Sequence, residues 1–248
     1  MLCSDGRWVT IGMKGIDIER KKPRINVELQ DDASDEANSK RVQRIVNEFE
    51  KGFDFISNYR LAATIFGSSR CNMKDRIYEK ATELSRKLSK SGFAILTGGG
   101  GGIMEAGNKG AFEAGGDSVG LNIDLPDEEA RNKYVKDALA FKYFFIRKVM
   151  LSFASDVYIF FPGGFGTLDE FFEIITLIKT NKIKHIPVVL VGKDFWEPIL
   201  NMIENSLYKK YHTISKEDMD IYHLVDDVDE AHNLIVNLVE KYCLEVGC

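Results

Sequence analysis

The chain has 248 residues, a formal net charge of −5 at pH 7 and a hydrophobic fraction of 44%, a composition typical of a globular protein with a substantial core. With a pI near 5.5, it lacks the basic excess by which proteins coat a nucleic acid polymer. It contains no run of about 18 apolar residues and no apolar signal core near Met1, so we expect no membrane span, no secretory signal and a cytoplasmic location.

The cysteine and histidine residues are too scattered to predict a metal site. Cys3, Cys71, Cys243 and Cys248 are far apart, and the four histidines do not stand at ligand spacings from them. We therefore expect reduced thiols and no bound metal.

The first 60 residues are predicted to form an arm and a helix that precede the main domain, which spans residues 61–248. Residues 1–40 are charged and poorly periodic, as in a surface arm. From about Ser39 to Ile56, apolar residues recur every three or four positions, which predicts an amphipathic helix with one buried face.

From residue 61 onward, short apolar runs alternate with amphipathic segments. The predicted strands are residues 61–66, 93–96, 117–123, 139–145, 157–161 and 186–191. The predicted helices are residues 74–90, 103–114, 127–137, a segment that ends near 156, a segment that follows 167, and 195–208, with only helices beyond 215. This alternation indicates an α/β fold, a doubly wound Rossmann-like parallel sheet flanked by helices, which binds ligands at the carboxyl ends of its strands.

Three loops follow predicted strands and should therefore share one rim of the sheet. They are Gly67–Arg70, which includes Ser68 and Ser69, the five consecutive glycines of Gly98–Gly102, and Pro162–Thr167. Neither glycine loop matches the dinucleotide fingerprint or the P-loop, so NAD binding and ATP hydrolysis are not expected.

The loop of residues 162–167 predicts a phosphate site. Gly163, Gly164 and Gly166 leave room for backbone N–H groups to close around an anion, and the helix that follows adds the positive end of its dipole. Thr167 is predicted to cap that helix. A small anionic ligand is compatible with the acidic net charge, because its charge would be met locally.

Two nearby features allow either a structural or a catalytic interpretation. Thr167 and Glu170 have the spacing of a capping box, in which the glutamate only fixes the helix N-terminus. Alternatively, the Glu170 carboxylate faces the sugar of a nucleotide, where it could orient water and stabilise charge at the anomeric carbon. Arg147 and Lys148, predicted to lie just before a helix, are either a solvated basic pair or part of that site.

Three segments together carry a resemblance to a known family. They are residues 98–116 (GGGGGIMEAGNKGAFEAGG), 144–156 (FFIRKVMLSFASD) and 161–170 (FPGGFGTLDE). In this order and at this spacing they resemble the Lonely Guy (LOG) family of phosphoribohydrolases, marked by PGGxGTxxE and long mislabelled lysine decarboxylases. The resemblance spans residues 61–242.

The resemblance implies hydrolysis of the N-glycosidic bond of nucleoside 5′-monophosphates to a free base and ribose 5-phosphate, with AMP and cytokinin riboside monophosphates as usual substrates. It implies Arg147 and Glu170 as catalytic residues, no cofactor or metal, and a homodimer or higher homo-oligomer with the stripes at 42–56 and 171–178 as candidate contacts. The implied substrate-binding residues are Gly67, Ser68, Ser69, Gly99, Gly100, Met104, Glu105, Lys148, Gly163, Gly164, Phe165, Gly166 and Thr167.

Glu105 and the arm before Leu61 depart from the short plant pattern and resemble a longer, bacterial-type branch of the family. The alternative function is a non-catalytic carrier of a nucleotide or of the molybdenum cofactor, a role that related proteins of this fold have; intact Arg147 and Glu170 favour the enzyme. A third function, decarboxylation with pyridoxal phosphate, would need a Schiff-base lysine, and the sequence has no Ser-x-His-Lys segment.

Overall fold

The computed structural model describes residues 35–124 and 131–246. Two compact units, residues 1–43 and residues 44–248, divide the chain. Most of the predicted surface arm and the first part of the helix predicted at 127–137 lie outside the described residues. The division into an arm of residues 1–60 and a main domain of residues 61–248 stays a prediction.

Seven parallel strands form one sheet in the described part of the chain, in the order β4-β3-β2-β1-β5-β6-β7. They are β1 (Ala62–Phe66), β2 (Ala94–Thr97), β3 (Ser118–Ile123), β4 (Asp137–Phe141), β5 (Val157–Phe160), β6 (Val188–Val191) and β7 (Tyr222–Val225). The order reverses between β1 and β5, which pair in register from Ala63 and Val157 to Phe66 and Phe160. The doubly wound α/β prediction is confirmed, and a ligand site is expected outside the carboxyl ends of these two strands.

The helices pack on both faces of this sheet. They are α1 (Asp35–Ile56), α2 (Arg76–Lys90), α3 (Ile103–Glu113), α4 (Phe144–Phe153), α5 (Phe165–Lys179), α6 (Lys193–Met202) and α7 (Val228–Val246), with a π-helix at Ile203–Lys210 and a 3-10 helix at Glu217–Ile221.

Strand β5 shows how the sequence builds two cores. Val157 and Ile159 are fully buried in the core that contains α2, α3 and α7, whereas Tyr158 and Phe160 are fully buried in the core that contains α4, α5 and α6. Because successive side chains of a strand point to opposite faces, a continuous apolar run is required where both faces are covered.

Three sequence predictions about secondary structure are wrong. Residues 131–136 form no helix, and the strand predicted at 139–145 runs from Asp137 to Phe141, after which Tyr143 is extended and Phe144 begins α4. The aromatic pair Phe144 and Phe145 looked like strand residues, but packing as a helix overrides that local preference. Beyond residue 215, β7 adds an edge strand whose four half-exposed or buried residues are too few to show a clear alternation.

Candidate active site

A cavity of about 580 Å³ opens at the carboxyl ends of β1 and β5, where the strand order reverses. Its walls come from the ends of β1 and β2 and from the first turns of α3, α4 and α5. The lining residues are Ile65, Phe66, Gly67, Ser68, Ser69, Arg70, Gly98, Met104, Phe144, Arg147, Lys148, Leu151, Gly164, Phe165, Gly166, Thr167, Asp169 and Glu170.

Ser68 joins the three loops that were expected to share one rim. Its backbone N–H donates to the Pro162 carbonyl at 3.0 Å, and its carbonyl accepts from the Ile103 N–H at 2.9 Å. Gly102 has a φ of +66°, and a Cβ there would lie 2.2 Å from the Ser68 carbonyl oxygen. The loops after β1, β2 and β5 are therefore fixed against one another, and only glycine fits at residue 102.

Gly99 and Gly100 do not line the cavity; they belong to a buried polar network behind it. The Asn132 side-chain amide donates to the carbonyls of Gly99 at 3.1 Å and Gly100 at 2.9 Å. The Thr97 hydroxyl donates to Asn108 Oδ1 at 2.6 Å and accepts from the Gly99 N–H at 2.9 Å. Buried hydrogen bonds of this kind fix the second glycine loop, so these two glycines hold its shape.

The N-terminus of α5 faces the cavity without a side-chain cap. Gly164 is the residue before the first turn, and a Cβ on Gly164 or Gly166 would meet no atom within 4 Å. The first N–H groups of a helix have no intrahelical acceptor, so this terminus can bind an anion. Phosphate binding by the predicted loop stays a prediction.

Thr167 does not cap α5, because it lies inside the first turn of the helix. Its side chain packs against Gly163 so closely that a Cβ on Gly163 would lie 2.0 Å from Thr167 Oγ1. The capping-box interpretation of Glu170 is therefore wrong, since the residue that precedes the helix is Gly164. Gly163 itself does not line the cavity.

Glu170 lies in the second turn of α5 and is only 8% exposed. Its Oε2 atom has no hydrogen-bond partner among the residues that the structure describes. Burial raises the pKa of this carboxyl to about 7; Lys148 and Arg147 lower it, and Glu173 and Asp169 raise it further. A buried carboxylate with an unsatisfied oxygen in a cavity is a strong candidate for a functional group.

Arg147 lies inside α4, and not before it as predicted from the sequence. With Phe144 and Leu151 it forms one helical face that lines the cavity, as expected for residues three and four positions apart. Its guanidinium carbon is 5.3 Å from the centre of the Phe144 ring. The same guanidinium is close to β2, since a Cβ on Gly98 would lie 3.8 Å from Nη1 and Nη2.

Lys148 also lines the cavity, but its ammonium is held by two carboxylates of α5. Nζ lies 2.6 Å from Asp169 Oδ2 and 2.9 Å from Glu173 Oε2. Burial lowers the pKa of this lysine, but the bonds to Asp169 and Glu173 outweigh that effect and hold the pKa above its ordinary value.

Eleven of the fifteen residues predicted for the site line the cavity, and four do not: Gly99, Gly100, Glu105 and Gly163. Glu105 instead lies close to Tyr78. Burial is the larger cause of the raised pKa of the Tyr78 phenol, and the Glu105 carboxylate raises it further. Sequence reasoning placed Arg70 on the rim without naming it as a site residue, and it missed Phe144 and Asp169 as lining residues. Helical spacing from Arg147 could have found Phe144. The roles of all these residues in binding or catalysis stay predictions.

Two kinds of feature are absent from the part of the chain that the structure describes. No group of three or more histidine, cysteine, aspartate and glutamate side chains is arranged to hold a metal ion. No described helix has both the length and the apolar character that a membrane span requires.

Comparison with known proteins gives the family. A family model described as "Possible lysine decarboxylase" matches residues 104–235, more than half of the chain. These residues include Arg147 and the whole PGGFGTLDE segment. The chain belongs to this family, the Lonely Guy (LOG) family.

Curated LOG relatives are similar at modest identity. A protein of rice (Oryza sativa subsp. japonica) named "Cytokinin riboside 5′-monophosphate phosphoribohydrolase LOG" is 27% identical over 187 residues, which cover 74% of each chain. A second rice protein, LOGL5, is 30% identical over 159 residues, and the match spans 62% of this chain and 63% of that relative. A protein of Rhodococcoides fascians named "Cytokinin riboside 5′-monophosphate phosphoribohydrolase" is 24% identical over 158 residues, or 61% of this chain and 78% of that one.

Among solved structures, the molybdenum cofactor carrier protein of Chlamydomonas reinhardtii is similar with a TM-score of 0.56 and 23% identity. The match covers 73% of this chain and 98% of that one. Similarity at this level shows a shared fold and leaves the function to be argued from the site.

Proposed function

We propose that this LOG family protein is a phosphoribohydrolase that cleaves the N-glycosidic bond of nucleoside 5′-monophosphates. The observation that carries the proposal is the burial of Glu170, with an unsatisfied carboxylate oxygen, in the same cavity as Arg147 and the uncapped N-terminus of α5. The names of the curated relatives support the same reaction. The cavity volume of about 580 Å³ is in the range of small-molecule sites.

The 5′-phosphate binds at the N-terminus of α5 in this proposal. Backbone N–H groups of residues 165–167 and the positive end of the helix dipole neutralise it, and Gly164 and Gly166 leave the space that it needs. Arg70, at the end of the loop after β1, adds a positive charge to the wall of the same cavity.

Glu170 acts on the sugar. In its ionised form it stabilises the positive charge that develops at the anomeric carbon and orients the water that attacks there. A bond forms from the water oxygen to the anomeric carbon as the bond to the base nitrogen breaks. The water's proton passes to Glu170 and from Glu170 to the departing base, so the products are the neutral base and ribose 5-phosphate and Glu170 is ionised again. Because the pKa of Glu170 is about 7, its carboxyl can release and accept a proton near neutral pH.

Arg147 acts on the leaving base. Its guanidinium is held beside the Phe144 ring in the wall of the same cavity, so it can donate hydrogen bonds to the base as negative charge builds up there. The Phe144 ring offers an apolar surface for the flat base. An adenine base, and hence AMP, is the substrate that we propose first, with N6-modified cytokinin riboside monophosphates as the second.

We include a homodimer in the cytoplasm in this proposal. Large apolar side chains are exposed: Phe165, which lines the cavity, at 94% and Phe153 of α4 at 55%. The Phe153 ring meets the Phe53 ring of α1 edge to face at 5.9 Å, and the Phe49 ring lies 6.4 Å from the Phe145 ring. Exposed aromatic side chains of this kind are suited to contact with a second copy of the chain.

The proposal is tested by base release from AMP, CMP, GMP, UMP and a cytokinin riboside monophosphate, resolved by chromatography. Adenosine is the matched control, because it has the same base and sugar without the phosphate. We expect release from at least one monophosphate and a rate at least about a hundredfold lower for adenosine, because it forgoes the phosphate contacts. Release from no monophosphate would refute the proposal.

A further inference from the structure

Lys148 is a predicted substrate-binding residue whose charged group is committed to other side chains. Its ammonium donates a hydrogen bond to Asp169 Oδ2 at 2.6 Å. It also lies 2.9 Å from Glu173 Oε2, as an ion pair, and the lysine side chain is 20% exposed.

The position of Glu173 shows where this ion cluster lies. Glu173 does not line the 580 Å³ cavity; it lines a second depression of about 370 Å³ together with Lys148, Asp169 and Phe172. Lys148 and Asp169 line both concave regions, so the ion cluster stands between them.

The ion cluster of Lys148, Asp169 and Glu173 connects two helices. Asp169 and Glu173 flank Glu170 one residue before and three residues after on α5, while Lys148 follows Arg147 directly on α4. The contact between Lys148 and the two carboxylates thus ties the helix that carries Arg147 to the helix that carries Glu170.

The charges that face Glu170 come from both helices and from one loop. They are Arg147 and Lys148 of α4, Asp169 and Glu173 of α5, and Arg70 of the loop after β1, which lines the same cavity. Lys148 balances the two acidic neighbours of Glu170, so its loss would leave three carboxylates together on one helix with less positive charge beside them.

We propose that Lys148 is a positioning residue: its ammonium joins α4 to Asp169 and Glu173 and thereby holds Glu170 charged and turned into the cavity that Arg147 also lines. This inference rests on the proposed function. It assigns to Lys148 a role through α5 and not a contact with the substrate phosphate, which the N-terminus of α5 binds.

The test is the pH profile of kcat/KM for AMP, or for the best monophosphate substrate, from about pH 5 to about pH 9. Lys148→Met removes the charge and keeps the length, Lys148→Arg keeps the charge, and Lys182→Met is a control at an exposed lysine after α5. Wild type should lose activity below about pH 7, where Glu170 becomes protonated.

For Lys148→Met we expect this acid limb to move upward by about one pH unit or more and kcat at the plateau to fall at least about tenfold, with KM within about threefold of wild type. Lys148→Arg should restore both, and Lys182→Met should match wild type. A tenfold or larger rise in KM with an unmoved acid limb would overturn the inference, because it would make Lys148 a substrate ligand.

A second variant covers the case in which Lys148→Met does not fold. Asp169→Asn with Glu173→Gln releases Lys148 without removing it, so the inference predicts a lower kcat and an acid limb moved downward. A lower KM with unchanged kcat would contradict it, since a released lysine would then bind substrate. Failure of wild type on every monophosphate would refute the proposed function itself and is a separate result.

Discussion

Burial of the Glu170 carboxyl lowers the free energy of unfolding above neutral pH. The pKa of its carboxyl is about 7 in the folded state, against an ordinary value of 4.5. The protonated form is thus favoured by folding, and stability falls as the pH rises from the unfolded value through the folded one. The cost approaches roughly 3 kcal/mol above about pH 8.

Glu170→Gln should therefore stabilise the free protein in a pH-dependent way. We expect a higher melting temperature than wild type at about pH 8.5 and little difference at about pH 4, where both side chains are neutral. Thermal unfolding followed by circular dichroism measures this. Glu197→Gln, at an exposed glutamate of α6, is the control and should show no such trend. Equal melting temperatures for wild type and Glu170→Gln at about pH 8.5 would contradict the burial account.

The sequence predicted individual residues well where a loop or a helix position fixes them. Gly164, Gly166 and Glu170 follow β5 without a gap, so strand, loop and helix place them together. Asp169 was missed because its place on the cavity wall depends on its ion pair with Lys148, which lies on another helix. That pairing depends on packing between α4 and α5, which no local pattern encodes.

At the scale of elements, the parallel, doubly wound sheet and the shared rim of its three loops follow from the alternation of strands and helices. The segment before β4 and the strand β7 could not be predicted in this way. Residues 131–136 are polar, like many helices, but they form no helix. The Asn132 side chain instead donates to the carbonyls of Gly99 and Gly100, a tertiary contact that the local sequence does not reveal. Edge strand β7 is four residues long and carries too little pattern to be recognised.

Two glycine substitutions separate the folding role of one loop from the binding role of another. Gly102→Ala should lower the free energy of unfolding by roughly 2–4 kcal/mol, because its Cβ would lie 2.2 Å from the Ser68 carbonyl oxygen at a φ of +66°. Gly164→Ala should leave stability within about 1 kcal/mol of wild type, since its Cβ would meet no protein atom within 4 Å. It should instead raise KM for a monophosphate, because the methyl group enters the proposed phosphate site.

Denaturant unfolding and steady-state kinetics on both variants make this comparison. A stable Gly102→Ala would mean that the loops after β1 and β2 are not held together as described. An unchanged KM in Gly164→Ala would place the phosphate away from the N-terminus of α5.

At the scale of the whole molecule, the exposed aromatic side chains predict a homodimer. Phe153→Asp should give a monomer by light scattering, because a charge would have to be buried against apolar side chains at the interface. Lys193→Asp, at an exposed residue that begins α6, is the control and should remain dimeric. A wild type that is monomeric at micromolar concentration would contradict this prediction.

The central claim is that Glu170 performs chemistry on a bound nucleoside monophosphate. The most direct test compares wild type and Glu170→Gln for base release from AMP at about pH 8 and for AMP binding by calorimetry. We predict that wild type releases adenine and that the variant binds AMP but loses about a hundredfold or more in kcat, equivalent to roughly 2.7 kcal/mol of transition-state stabilisation. Equal rates of release, or binding by both proteins with release by neither, would contradict the claim, and the second result would make the chain a nucleotide carrier.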